Sequence, residues 1–185
     1  VMNEEEGWKI SKFIKNARLL DYDDKEDIEK AVQLMTKLHR SGKTTPYAIE
    51  FEKGLVDFKE KLIKRNRFEF DDKEELEAMV GKVVGYLEQD QVEHTICHGD
   101  CYSPNFLVDE EGNMSLIDWE YSSMNDPMWD LAALFLESEF TPQEEEAFLS
   151  HYESDQTPVS REKIAIYKIL QDTIWSLWTV YKEEQ

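Results

Sequence analysis

His98-Gly99-Asp100-Cys101-Tyr102-Ser103-Pro104-Asn105 is the stretch that decides how this chain folds, together with Ile117-Asp118-Trp119-Glu120 a little further on. Between them, Asn105-Phe106-Leu107-Val108 and Met114-Ser115-Leu116-Ile117 flank Glu110-Glu111-Gly112-Asn113, the pattern of a β-hairpin. The four-residue loop from Asp100 to Asn105 can turn both side chains toward one cleft. An antiparallel hairpin then returns Asp118 to the side of Asn105. Taken singly, Asp100 and Asn105 are ordinary turn residues and Asp118 an ordinary strand end. As an ordered set they meet the needs of phosphoryl transfer. One carboxylate accepts or orients the proton of an attacking hydroxyl, while an amide oxygen and a second carboxylate hold Mg2+ on nucleotide phosphates. Asp100 is then the base, and Asn105 and Asp118 are metal ligands. Oxygen donors alone suit Mg2+.

Outward from this centre the sequence is mostly helical. Ile28, Val32, Met35 and Leu38 set a helical period over Asp27 to Ser41, with Asp23 or Asp24 as cap and Gly42 as stop. Phe51, Leu55, Phe58 and Leu62 mark a second helix, and Leu76, Val80, Val83 and Leu87 a third behind Asp71 or Asp72. Beyond the hairpin, Asp126-Pro127 predicts a capped helix start. Thr141-Pro142-Gln143-Glu144 predicts a capping box, and Ser160 opens a last helix running to about Glu184. Thr95-Ile96-Cys97 is a short buried run. Trp8 to Ile14, after Glu4-Glu5-Glu6-Gly7, reads as a strand with nothing before it to pair with. Trp175 and Trp178, with Tyr181 three residues on, share one side of the last helix. Without further information such a stripe is core. His39 reads as a partner of its helix's C-terminal dipole, and His94 and His151 as surface residues.

Composition narrows the function. The chain has 185 residues, 41% apolar and 34% charged, with a formal net charge of −20 and a pI near 4.5. That balance excludes general affinity for nucleic-acid phosphates and argues against docking on an anionic membrane. Mean hydropathy is −0.64, and no run approaches a membrane span. The N-terminus carries no signal-peptide pattern. Cys97 and Cys101 form neither a disulfide framework nor, with His98, a zinc site, so a reduced, cytoplasmic protein is expected. No Gly-rich phosphate loop of the G-x-G-x-x-G or P-loop type is present.

The H-x-D-x4-N spacing is that of the kinase catalytic loop. His98-Gly99-Asp100 through Asn105, then Ile117-Asp118-Trp119-Glu120-Tyr121, resembles the aminoglycoside-phosphotransferase and choline-kinase superfamily. The run from Asp118 through Asp126-Pro127-Met128-Trp129-Asp130-Leu131-Ala132, with Ile174-Trp175-Ser176-Leu177-Trp178, looks most like choline/ethanolamine kinases of the bacterial type. The resemblance implies a mainly α chain with a small β-hairpin, the C-terminal lobe of a protein-kinase-like fold. Residues 1–16 would be the last small-lobe strand and hinge, and residues 17–185 the lobe. Within it lie a catalytic loop at 98–105, a metal-site hairpin at 106–118 and a helical substrate region at 126–185.

The implied reaction is transfer of a phosphoryl group from ATP, with Mg2+, to the hydroxyl of choline. Trp175 and Trp178 become walls for the quaternary ammonium, with Tyr121, Glu120 and Tyr181 around them. Phe13 and Ile14 offer hinge backbone groups to adenine. His98 belongs to the catalytic loop and holds its backbone, Asp130 braces that loop, and Trp129 packs in the lobe. Rival acceptors are ethanolamine, thiamine, an aminoglycoside or a sugar, and a different class of reading is a non-catalytic choline-binding module. The nucleotide-covering small lobe has no counterpart here, so the chain is expected to be a fragment, inactive alone. A homodimer is left open.

Overall fold

Short strands joined by helices build the chain, and the computed structural model describes residues 2–3, 5–48, 59–65, 68–69, 71–89, 93–153 and 158–182. In chain order the elements are β1 (Met2–Asn3), β2 (Trp8–Lys9), β3 (Arg18–Leu19), α1 (Lys25–His39), helical residues 59–64 (α2), α3 (Lys73–Gln89) and β4 (Thr95–Cys97). After a 3-10 turn at Ser103–Asn105 come β5 (Phe106–Val108) and β6 (Met114–Leu116). A second 3-10 turn at Trp119–Tyr121 leads to β7 (Ser123–Asn125), α4 (Met128–Ser138), α5 (Pro142–Tyr152) and α6 (Arg161–Lys182). Among the described residues no helix is long and apolar enough to cross a membrane.

The hairpin forms as its apolar alternation requires. β5 and β6 pair antiparallel with Phe106 opposite Leu116 and Val108 opposite Met114, and the ladder continues through Ile117 N–H to the Asn105 carbonyl at 2.9 Å. Its turn uses Gly112 at φ +80, and the Asp109 carboxylate accepts from the backbone of Glu111 and Asn113. β3 adds to the other edge of β5. β4 pairs antiparallel with β7, Cys97 opposite Ser123.

Helix starts follow their caps. Asp24 accepts from Glu26 N–H, and Thr141 and Glu144 form the reciprocal box at α5. Asp126 Oδ1 accepts from Met128 N–H at 2.9 Å, so Asp126 caps α4 across Pro127. α1 stops at His39, three residues before Gly42: Arg40 leaves helical geometry at φ −95 and ψ 5, and Ser41 N–H turns to the Leu38 carbonyl in a tighter i→i−3 bond. The expected second helix lies largely outside the described residues. The opening strand is corrected. It is only Trp8–Lys9, and it does have a partner, because Gly7 at φ +70 folds Met2–Asn3 back onto it. Ile10 and Phe13 beyond it are exposed.

α4 is apolar nearly all round over its first eight residues and is buried from Met128 to Phe135, as that pattern dictates. It packs on α6, and α1 packs on α5. Met35, Phe106, Leu131, Leu134, Phe148 and Leu170 centre the core, each contributing about 1.5–3 kcal/mol by burial. The loop at 98–105 rests on this core.

Candidate active site

The loop after β4 is shaped by Gly99. Its φ is +88, and an added Cβ would lie 2.3 Å from the Tyr121 carbonyl oxygen, so only glycine fits. The loop's far end is tied down by Ser103, whose N–H donates to the Tyr22 hydroxyl (2.9 Å) and whose Oγ donates to the Leu20 carbonyl (2.7 Å). Asn105 is buried, and its Nδ2 donates to both the carbonyl and Oδ2 of Asp100, at 2.8 and 2.9 Å. Burial raises the Asp100 carboxyl above its ordinary pKa, with the charge of Asp118 adding to the effect; the Asn105 hydrogen bond and His98 oppose it. A carboxylate shifted upward is a stronger base than a free one.

His98 has both ring nitrogens in use. Asp100 N–H donates to Nδ1 at 3.3 Å, so Nε2 carries the proton and donates to the Ile117 carbonyl at 2.7 Å. The ring therefore joins the loop to the end of β6, with Trp119 edge-on at 4.8 Å.

Asp118 follows β6 in a left-handed conformation, φ 63 and ψ 64, at the lip of the site. Such a backbone costs about 1–3 kcal/mol and persists where neighbours enforce it. Among the described residues no hydrogen-bond or ion-pair partner holds its carboxylate. The Asn105 amide hydrogens are committed to Asp100, which leaves Asn105 its Oδ1. Two neighbouring oxygen donors, one anionic, with Asp100 beside them, fit a hard divalent cation. Asn105 and Asp118 are the residues that would hold it.

Beneath the loop, Asp130 accepts from His98 N–H (Oδ2, 2.8 Å), Gly99 N–H (Oδ1, 2.8 Å) and His39 Nε2 (2.9 Å). Complete burial pushes this carboxyl up. The hydrogen bond and charge of His39 and the two amides outweigh that and hold it below the ordinary value. His39 Nδ1 meets the Tyr152 hydroxyl at 2.6 Å. His39 does stand in the last turn of α1, and beyond the dipole reading it is a buried link between α1, α4 and α5. Sequence reading missed this role, and the available signal was spacing: Ala31, Met35 and His39 recur every four residues on the buried face. It also missed Tyr22, for which nothing local in the sequence speaks.

Beside the acidic set stands an aromatic wall. Tyr121 and Trp175 meet edge to face at 6.4 Å, and Trp175 and Trp178 at 6.0 Å and 87°. Trp178 is 37% exposed and Tyr121 47%. Glu120, also exposed, lies in the turn between Asp118 and Tyr121. Tyr181 goes elsewhere, packing with Leu62, Phe68 and Leu177 under the Arg65 guanidinium at 4.2 Å. Phe13 is 84% exposed and Ile14 half-buried, on the strand-to-strand connection before β3.

A model of the phosphotransferase enzyme family matches residues 4–164. Protein LicA of Haemophilus influenzae is 30% identical over 95 residues, covering 48% of this chain and 35% of that protein. The chain thus spans about a third of the length of the curated relatives it matches. Among solved structures, choline kinase LicA from Streptococcus pneumoniae superposes with a TM-score of 0.90 at 47% identity, over 100% of this chain and 66% of that one. LicA in complex with AMP gives 0.87 at 47% identity, over 100% of this chain and 64% of that one.

Proposed function

The chain belongs to the phosphotransferase enzyme family, and from that premise we propose that its site transfers the γ-phosphoryl group of ATP to the hydroxyl of choline, giving phosphocholine. The observation that carries this reading is the single turn Trp119–Tyr121, which leaves Asp118 of the acidic set at one end and Tyr121 of the aromatic wall at the other. The charged head and the reactive hydroxyl of choline are two carbons apart, so a seat for each must lie side by side. A quaternary ammonium has no N–H to donate, and aromatic faces with a nearby carboxylate such as Glu120 hold it by cation–π and charge attraction.

Asp100 accepts the hydroxyl proton as the oxygen attacks, and Asn105 keeps the Asp100 carboxylate turned toward that oxygen. His98 keeps the loop against β6. Bound Mg2+, held by Asn105 and Asp118, would neutralise phosphate charge. Nucleotide use is supported by the AMP complex of a structure 47% identical to this chain. In this reading residues 1–16 are the last small-lobe strand and hinge, with the backbone of Phe13 and Ile14 toward adenine, and residues 17–185 are the C-terminal lobe. Tyr181 has no part in the choline seat, because it packs against Leu62, Phe68 and Leu177. The unpaired, buried thiols of Cys97 and Cys101 suit a reducing cytoplasm.

The test is ADP formation from Mg-ATP by the chain joined behind a nucleotide-covering small lobe, with choline, ethanolamine, thiamine and an aminoglycoside offered separately, alongside calorimetric titration of each acceptor. Choline-dependent turnover and a preference for choline over ethanolamine are expected. Equal or better use of another acceptor would overturn the choice of choline. Choline binding without any turnover would replace the enzyme by a choline-binding module.

A further inference from the structure

We propose that Trp129 is a positioning residue for the Asp100 carboxylate, acting through the Gly99 carbonyl, and that Gln171 ties it to the helix carrying the aromatic wall. The proposal rests on the phosphoryl-transfer reading of Asp100. The Trp129 indole Nε1–H donates to the Gly99 carbonyl at 3.1 Å, inside the core. That oxygen belongs to the peptide unit joining Gly99 to Asp100. The nitrogen of the same unit donates to His98 Nδ1. A peptide unit is planar, so holding both its oxygen and its N–H fixes the plane from which the Asp100 side chain departs. Asp130 holds the preceding amide, Gly99 N–H, at 2.8 Å. The left-handed Gly99 is thereby clamped on both sides, where an unclamped glycine would be free to turn.

Trp129 is itself held. Its ring meets Tyr167 edge to face at 5.7 Å, and the Tyr167 hydroxyl donates to Asp126 Oδ2 at 3.2 Å, where Lys163 also pairs at 2.6 Å. Gln171, buried on α6, donates from Nε2 to the Trp129 carbonyl at 3.0 Å. Gln171 stands one helical turn before Trp175. One hydrogen-bonded chain therefore runs from the helix of the cation wall, through α4, to the peptide that aims the base. Any buried indole N–H needs an acceptor; here that acceptor is the carbonyl of the peptide unit that carries Asp100. Phenylalanine would fill much of the space and leave the buried Gly99 oxygen without this donor.

The experiment compares wild type, Trp129→Phe and Gln171→Leu, each joined behind a nucleotide-covering small lobe, with circular dichroism to confirm folding. Three readouts are taken: NMR hydrogen exchange of the Trp129 indole and the Gly99 and Asp100 amides, kcat, and KM for choline. In wild type the indole N–H exchanges slowly. In Trp129→Phe both loop amides exchange faster and kcat falls about 10-fold with KM within about 2-fold, since misplacing a catalytic group costs rate more than binding. Gln171→Leu gives the same pattern, smaller. An indole exchanging at the solvent rate in wild type overturns the proposal, as does a folded Trp129→Phe with unchanged kcat, or with its loss carried by KM. If wild type shows no choline-dependent turnover, the functional reading fails. The amides then decide this inference alone: faster exchange in Trp129→Phe sustains the clamp, and unchanged exchange removes it.

Discussion

The floor beneath the catalytic loop and the wall beside it are built on opposite principles. In the floor, Tyr152, His39, Asp130 and the amides of His98 and Gly99 are fully buried, with polar atoms paired at 2.6–2.9 Å. In the wall, Tyr121, Trp175 and Trp178 touch edge to face and keep surface open to solvent. A buried hydrogen-bonded network permits one geometry, because every alternative strands a polar group. An open aromatic surface has no such penalty and can accept a ligand at little cost in reorganisation. In the proposed function, the floor would fix where the chemistry happens, and the wall would govern what is held there.

Five substitutions test the contrast, in falling order of effect. Asp130→Ala removes the acceptor for three buried donors. A loss of about 3–5 kcal/mol is expected in urea unfolding; a loss under 1 kcal/mol would show that the floor is not a constraint. The same network sets a pH response. The folded Asp130 carboxyl lies below its unfolded value, so its contribution is present above an ordinary Asp pKa of about 3.9 and is lost as pH falls through the folded value. His39→Gln takes away the largest group lowering that pKa, so its acid-unfolding midpoint should move to higher pH, read by fluorescence.

Next, Asp100→Asn should lower kcat about 100-fold or more while choline affinity and melting temperature stay near wild type. Near-normal turnover would remove Asp100 as base. Trp178→Ala, at the wall, should weaken choline binding roughly 2- to 30-fold, from about 0.5–2 kcal/mol of cation–π attraction, and narrow its preference over ethanolamine. Calorimetry checks this, and unchanged affinity in the folded variant would return the Trp pair to core packing. Smallest, Thr141→Ala lies away from both regions and breaks the α5 capping box. It should cost about 1 kcal/mol of stability, with kcat and choline affinity untouched; a change in either would show that stability and site are not separable here.

Much of this protein was legible in the linear sequence because its signals are local. The H-x-D-x4-N spacing, the hairpin between Asn105 and Asp118, the Thr141–Glu144 box and the helical periods each depend on residues a few positions apart. Local backbone geometry turns those spacings directly into structure. Tertiary structure alone decided the rest, because it depends on partners far apart in the chain. His39 finds Asp130 across 91 residues and Tyr152 across 113. Tyr121 meets Trp175 only because α6 packs back across α4. Trp129, read as packing from its sequence, turns its N–H to a carbonyl 30 residues away. Tyr181 shares the helical stripe of Trp175 and Trp178, yet it packs against Leu62 and Phe68, since a helical face fixes direction but not what lies opposite. Periodicity says that a side chain is buried; which polar group it meets there is settled when distant segments close the core and leave each donor a single acceptor.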